Sequence, residues 1–450
     1  MSRCFRAMII FLAVLLFLSG VSFAEGGSGF DYRVLDDGNA MITGYRGSGP
    51  EIVFPESIDG YTVSGLGESF GTITASIKNI KSITVPDTMT LIEPGALRFA
   101  EYLAEINVSE NHPSLVFRDG VLYDRKTQSL LLYLQTNREE QFEVPEGIRE
   151  IADNAFVRAR RLKSVSLPGS VERIGRESFY QCTALEEISL SEGLKTIDAD
   201  AFTNSDRLRT VEIPASVTDI AESAFTDAHL KEIRVNPDNP VFTVSDGALI
   251  NIRDEVLLAF PQYSEAKSCT VPEGVNRIGS LAFYRCHNLK QIILPDGLLE
   301  IGHGAFLSCN HLTAMDIPDS VTTLEDDAFS ENSDLEELHI PAGLTEIVNN
   351  FGGSAVSKLE IPETVTVIER SFYALPNLTE VVIPDSVILI SNNSFAFCKI
   401  LASVTIPAGV AEIRCDFIGC ADSLVIRVEP GSYAEQYCRD HNLRFESISE

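Results

Sequence analysis

Apolar residues recur along this chain in a frame set by proline. Around Pro168, Leu162, Val165 and Leu167 come before it, Val171 and Ile174 follow at three and six residues, and Phe179 comes eleven residues after. The frame returns as Leu289, Ile292, Leu294, Leu298, Ile301 and Phe306, and again as Leu401, Val404, Ile406, Val410, Ile413 and Phe417. Aligned prolines stand at Pro145, Pro168, Pro214, Pro272, Pro295, Pro318, Pro341, Pro362, Pro384 and Pro407, and most steps are 23 residues. Ser191 fills the gap midway between Pro168 and Pro214, and the steps around Pro362 are one or two residues short. A fixed period of this length signals stacked coils, each burying its apolar side chains against its neighbours.

Within one period, the alternation at Val165-Ser166-Leu167 predicts a short strand with one face buried and one wet. Proline then ends the strand, because it donates nothing to a ladder, and the Gly, Asp or Glu after it turns the chain. The rest of the unit has no room for a long amphipathic helix. The expected fold is therefore a repeat solenoid: a β-rich right-handed coil with short parallel strands on one side and extended or single-turn structure, carrying an Ala-Phe pair, on the other. A right-handed parallel β-helix is the competing architecture; it shares the stacking but lacks the strand-then-leucine spacing.

The recurring I-P-x-x-V-x-x-I-x-x-x-A-F-x-x-C-x-x-L-x-x-I-x-I-P pattern resembles the BspA-type leucine-rich repeats of bacterial surface and secreted proteins, and it covers nearly the whole chain in register. Two longer units align with each other without a gap, from Val108 through Asp119-Gly120 and from Val235 through Asp246-Gly247. They look like that family's enlarged coils, each with an extra hairpin turning at Asp-Gly. The ends differ because terminal coils must cover an open apolar face. The segment from Phe30 to Tyr45 reads as an N-terminal strand cap, and the segment after Gly431 as a short helix from Tyr433 plus a last strand; both look like the family's caps. The resulting division is a leader at residues 1–24, an N-terminal cap at 25–71, a leucine-rich-repeat solenoid at 72–424 with enlarged coils at 108–145 and 235–272, and a C-terminal cap at 425–450.

The leader reading rests on Arg3 and Arg6, the apolar run Ala7 to Leu18, and the small residues ending at Ala24. The run is shorter than the ~20 residues a bilayer span needs, which points to a signal peptide cleaved at Ala24-Glu25 and to a secreted protein with no membrane insertion afterwards. The chain carries 65 acidic against 35 basic residues, a net charge of −30. That balance argues against nucleic acid, heparin-like polymers and anionic membranes as partners.

Candidate chemistry is sparse. Cys182, Cys286, Cys309, Cys398 and Cys420 each lie three residues after the Phe of their own repeat, where other coils have Ala or Ser. That placement suits small buried side chains in a stacked ladder. Adjacent coils also bring Cys286 near Cys309 and Cys398 near Cys420 at ~4.8 Å, a separation that admits disulfides in an exported protein and leaves their redox state open. No C-x-x-C, H-E-x-x-H, G-x-S-x-G, P-loop or dinucleotide fingerprint occurs. Trp is absent, which weakens a sugar-stacking reading. No catalytic residue, cofactor or metal ligand is assigned; a divalent-metal set around His339 competes there with an ordinary solvated mixed-charge ladder.

Positions two and four before each proline point to water. The stretch with the most varied chemistry holds Asp316, Glu337, His339, Glu360, Glu380 and Val382, while Leu338, Leu359 and Val381 point inward. These six form the expected binding face of a non-catalytic extracellular module, and the family resemblance implies protein or glycoprotein partners such as host matrix or cell-surface proteins. The competing expectations are an enzyme or enzyme-associated domain acting on surface polymers, a structural spacer, and binding by the Asp-Gly hairpins.

Overall fold

The computed structural model describes residues 23–25, 29–74, 77–414 and 417–448. The expected leader lies outside the described residues as far as residue 22. Phe23–Glu25, which straddles the expected cleavage point, forms a strand antiparallel to Phe30–Val34. The chain divides into two compact units, Met1–Leu185 and Glu186–Glu450.

The stacked coils implied by the period are present in both units. All eighteen frame positions of the three repeats quoted above are at most 9% exposed. In coil after coil, though not in every one, the strand before proline pairs in parallel with its equivalent one coil on: Gln141–Glu143 with Ser164–Ser166 in the first unit, and Ser268–Thr270 with Gln291–Ile293 in the second. The proline carbonyl then accepts the N–H three residues later, at 3.1 Å from Val171 to Pro168 and 2.9 Å from Val321 to Pro318. This turn reverses the chain and drops the following Val into the core.

Two further layers of each coil were not legible in the pattern. One is a second parallel ladder of strands two or three residues long, in which Ile151 lies against Ile174, and Ile278 against Ile301. The other is the segment around Phe, where left-handed residues flank the ring two positions away on each side: Glu177 and Gln181 around Phe179, Leu281 and Arg285 around Phe283, Asp327 and Glu331 around Phe329. Left-handed backbone costs a non-glycine residue about 1–2 kcal/mol. It turns alternate N–H groups toward the next coil, so Leu281, Phe283 and Arg285 donate to the carbonyls of His303, Ala305 and Leu307 at 2.8, 2.8 and 3.0 Å. The single-turn structure expected on this side is thus itself a hydrogen-bonded ladder.

The Phe rings stack under that ladder. Phe283 and Phe306 have centroids 5.1 Å apart, Phe306 and Phe329 4.9 Å apart, each pair inclined by 12°. The cysteines finish the layer. Cys182, Cys309, Cys398 and Cys420 donate their thiols to the carbonyls of Phe156, Phe283, Phe372 and Phe395 at 2.9–3.1 Å. All seven cysteines among the described residues are free thiols. Burial pushes the Cys182 and Cys309 thiols up to about 12, which leaves them unreactive near neutral pH.

Both enlarged coils carry the hairpin their Asp-Gly dipeptides imply. Arg118 pairs with Val121 and Ser245 with Ala248 across the two turns. Asp119 and Gly120 have φ of 53° and 75°, Asp246 and Gly247 of 46° and 85°, the double left-handed geometry of a tight two-residue hairpin. At the C-terminus a helix spans Tyr433–Asp440, capped by Ser432, whose hydroxyl accepts the Glu435 N–H, and Phe445–Ser447 adds a last parallel strand beside Val425–Val428.

Candidate binding groove

The expected binding face lies in the second unit. The strand Ala314–Asp316 pairs in parallel with Glu337–His339, so that Ala314 lies opposite Glu337 and Asp316 opposite His339. Met315 between them is 2% exposed, while Asp316, Glu337 and His339 face solvent, as strand alternation requires. The next coil reaches its proline after a step shortened to 21 residues, from Pro341 to Pro362, and its segment from Ser357 to Ile361 forms no strand. A groove of about 520 Å³ opens there, lined by Asp316, Glu336, Glu337, His339, Lys358 and Glu360 among others. On this face strand pairing resumes only with Glu380–Val382, beside Ser403–Ile406.

Four of the six expected residues, Asp316, Glu337, His339 and Glu360, therefore line one groove. Glu380 and Val382 do not: Glu380 is exposed and takes the Arg427 guanidinium at 3.1 Å, and Val382 is exposed on the same strand. Within the groove Lys358 pairs with Glu360 and holds that carboxyl below its usual range. The remaining carboxylates leave the groove acidic.

The partner of His339 was not anticipated. Its Nε2 lies 3.3 Å from Asp319 Oδ1, on the turn after Pro318, and not against the neighbouring strand carboxylates. Asp319 Oδ1 also accepts the Ala342 N–H at 2.8 Å; that N–H first, then His339, lowers the Asp319 pKa. The signal was available in the period: Asp319 and Ala342 both follow a proline directly, 23 residues apart. Glu192 uses the same position, accepting the N–H of Ala215 at 3.0 Å. Among the described residues, no group of three or more His, Cys, Asp or Glu side chains is arranged to hold a metal ion.

The first hairpin has a cleft of its own. About 350 Å³ is enclosed by Val116, Arg118, Tyr123, Arg125, Pro145 and their neighbours. Burial pushes the Tyr123 phenol up to about 12.

Stacked coils with parallel strand ladders, buried Phe columns and exposed polar strand faces define a leucine-rich-repeat solenoid. The chain belongs to the BspA type leucine rich repeat family, whose model matches residues 132–249, 258–374 and 368–424 in six copies. The chain is also similar to solved structures. A leucine-rich repeat protein from Eubacterium ventriosum is 17% identical with a TM-score of 0.54, covering 90% of this chain and 96% of its own. A leucine rich cell surface protein from Faecalibacterium prausnitzii is 22% identical with a TM-score of 0.47, covering 92% and 97%. The pneumococcal vaccine antigen PcpA is 17% identical with a TM-score of 0.47, covering 95% and 98%. No curated protein matches the chain. No helix among the described residues is long and apolar enough to cross a membrane.

Proposed function

We propose that this protein is an exported, non-catalytic binding module that holds a protein or glycoprotein partner in the groove lined by Asp316, Glu337, His339 and Glu360, with Glu380 and Val382 extending the contact surface. One observation carries the reading: a polar, acidic groove is set on a strand pair whose central residue, Met315, is anchored in the core. Rigid elements hold side chains in place more accurately than loops do, which favours recognition. The excess of carboxylates selects a basic segment of the partner, whose association salt should weaken. Export rests on the leader-like N-terminus.

The test is capture from extracellular matrix and cell-surface preparations by the purified protein, then titration of the captured partner. Replacing Glu337, His339, Glu360 and Glu380 together by Ala should weaken binding by at least about tenfold with the fold intact. Unchanged affinity in that variant, with loss on deleting the Asp119-Gly120 or the Asp246-Gly247 hairpin, would move the site to the loops. The first hairpin's cleft gives that second reading its own physical basis.

A further inference from the structure

The enlarged coil of the first unit leaves a notch in the turn ladder. Its aromatic residue, Tyr133, continues the ring column 5.1 Å from Phe156, but reaches that place at the end of a strand, Ser129–Tyr133, without the flanking left-handed turn. The coil before the notch contributes Glu93, Pro94 and Arg98; the coil after it contributes Asp153 and Asn154.

The second unit has the same arrangement and closes it. There Phe260 arrives on a strand-bearing enlarged coil, 5.4 Å from Phe283. Glu222, three residues before Phe225, crosses the gap: its carboxylate accepts the Ser280 N–H at 2.6 Å and pairs with Arg277. In the first unit the residue three before Leu97 is Pro94, which has nothing to send across. The result is an open cleft of about 610 Å³, a volume typical of small-molecule sites.

Its walls are polar and incompletely paired. Asn154 is 7% exposed, and its Oδ1 meets no hydrogen-bond partner; neither does Arg98 Nε. Arg98 Nη1 stands 3.7 Å from Glu177 and 4.0 Å from Glu68, too far for a hydrogen bond to either. A methyl group on Gly95 would lie 3.4 Å from Asn154 Nδ2, 3.5 Å from Glu68 Cγ and 3.7 Å from Arg98 Cδ, so three side chains converge over a glycine.

We propose that this cleft binds a hydroxyl-rich small molecule of the carbohydrate class. Glu68, Glu93, Asp153 and Glu177 only accept hydrogen bonds, Arg98 and Arg176 only donate, and the Asn154 amide does both. A ligand that only donates or only accepts leaves part of this wall unsatisfied, at the usual desolvation cost, whereas each hydroxyl serves both. Glu93 and Asp153 are already held by Arg33 and Arg173, which leaves Glu68 and Glu177 beside Arg98 and Arg176 as the open charges, a balance that selects neither an anion nor a cation. This site is independent of the acidic groove in the second unit.

The test is saturation-transfer NMR and calorimetric titration of the full chain with glucose, N-acetylglucosamine and cellobiose, and with putrescine and glycine for comparison. Two variants keep the local backbone: Asn154→Gly removes the amide at φ 61°, and Gly95→Asn adds a side chain to the cleft floor at φ 79°, a conformation Asn tolerates. The expected result is a saccharide Kd of roughly millimolar or tighter, weakened at least about tenfold in both variants with unchanged thermal unfolding. Absence of saccharide binding by the wild type, equal binding by the variants, or binding of putrescine or glycine alone would each overturn the proposal.

Discussion

The thiol of Cys309 donates to the carbonyl of Phe283, 26 residues earlier and 2.9 Å away. Ser354 makes the equivalent contact to Phe329, also at 2.9 Å. In these coils the third residue after Phe is therefore a slot for a small donor that adds a hydrogen bond to a carbonyl of the preceding coil, and sulfur fills it as a hydroxyl does. Cys309→Ser should be close to neutral, and Cys309→Ala should lower stability by only about 0.5–1.5 kcal/mol, because the Phe283 carbonyl loses the thiol but keeps the Cys286 N–H at 3.1 Å. Denaturant unfolding checks both. Cys182 and Cys309 should also react with a thiol reagent only upon unfolding, as read by mapping the modified residues.

Phe306 touches rings on both sides, at 5.1 and 4.9 Å, and is wholly buried. Phe306→Ala should cost about 3–5 kcal/mol, since the stack cannot collapse around the lost ring. Thermal and denaturant melts give the value, and a cost under about 1 kcal/mol would mean that the ring column does not bear on stability.

Arg370 holds φ of 51° two residues before Phe372, on the exposed side of its coil. Arg370→Val should destabilise by about 1–2 kcal/mol, because a β-branched residue resists this conformation, while Arg370→Gly should be no less stable than the parent. Equal stability of the Val and Gly variants would remove the left-handed ladder from the energetics.

Burial raises the Glu222 carboxyl, but the Arg277 hydrogen bond and the Ser280 N–H outweigh it, and the pKa ends below its usual value. A depressed carboxylate contributes stability that is complete above its unfolded value of about 4.3 and is lost as pH falls through the lower folded value. The parent should therefore lose more stability than Glu222→Gln on acidification below about pH 4.3, measured by urea unfolding at several pH values. Parallel pH profiles would contradict the assignment.

The sequence by itself determined the period, the buried side of each strand, the Asp-Gly hairpins and the helix that starts at Tyr433. These follow from rules local to a few residues: alternation decides which side chains are buried, and Asp-Gly favours double left-handed turns. Family membership was legible for the same reason, as a repeat displays its core in every copy. Asp316, Glu337, His339 and Glu360 were also identified as a shared outward face before their groove was visible.

Tertiary structure decided what depends on the neighbouring coil. Many strands of the second ladder have two residues, such as Arg173–Ile174, too short to show an alternation. Leu281 and Arg370 occupy left-handed backbone against their own preference because the inter-coil hydrogen bonds of their segments hold them there. His339 turned to Asp319 because a turn carboxylate one coil back lies within reach. Whether a notch closes, as with Glu222 and Ser280, or stays open beside Pro94 and Asn154 depends on pairs 58 residues apart in one unit and 60 in the other. Contacts over such separations exist only once the coils have stacked, so no window of the sequence could disclose them.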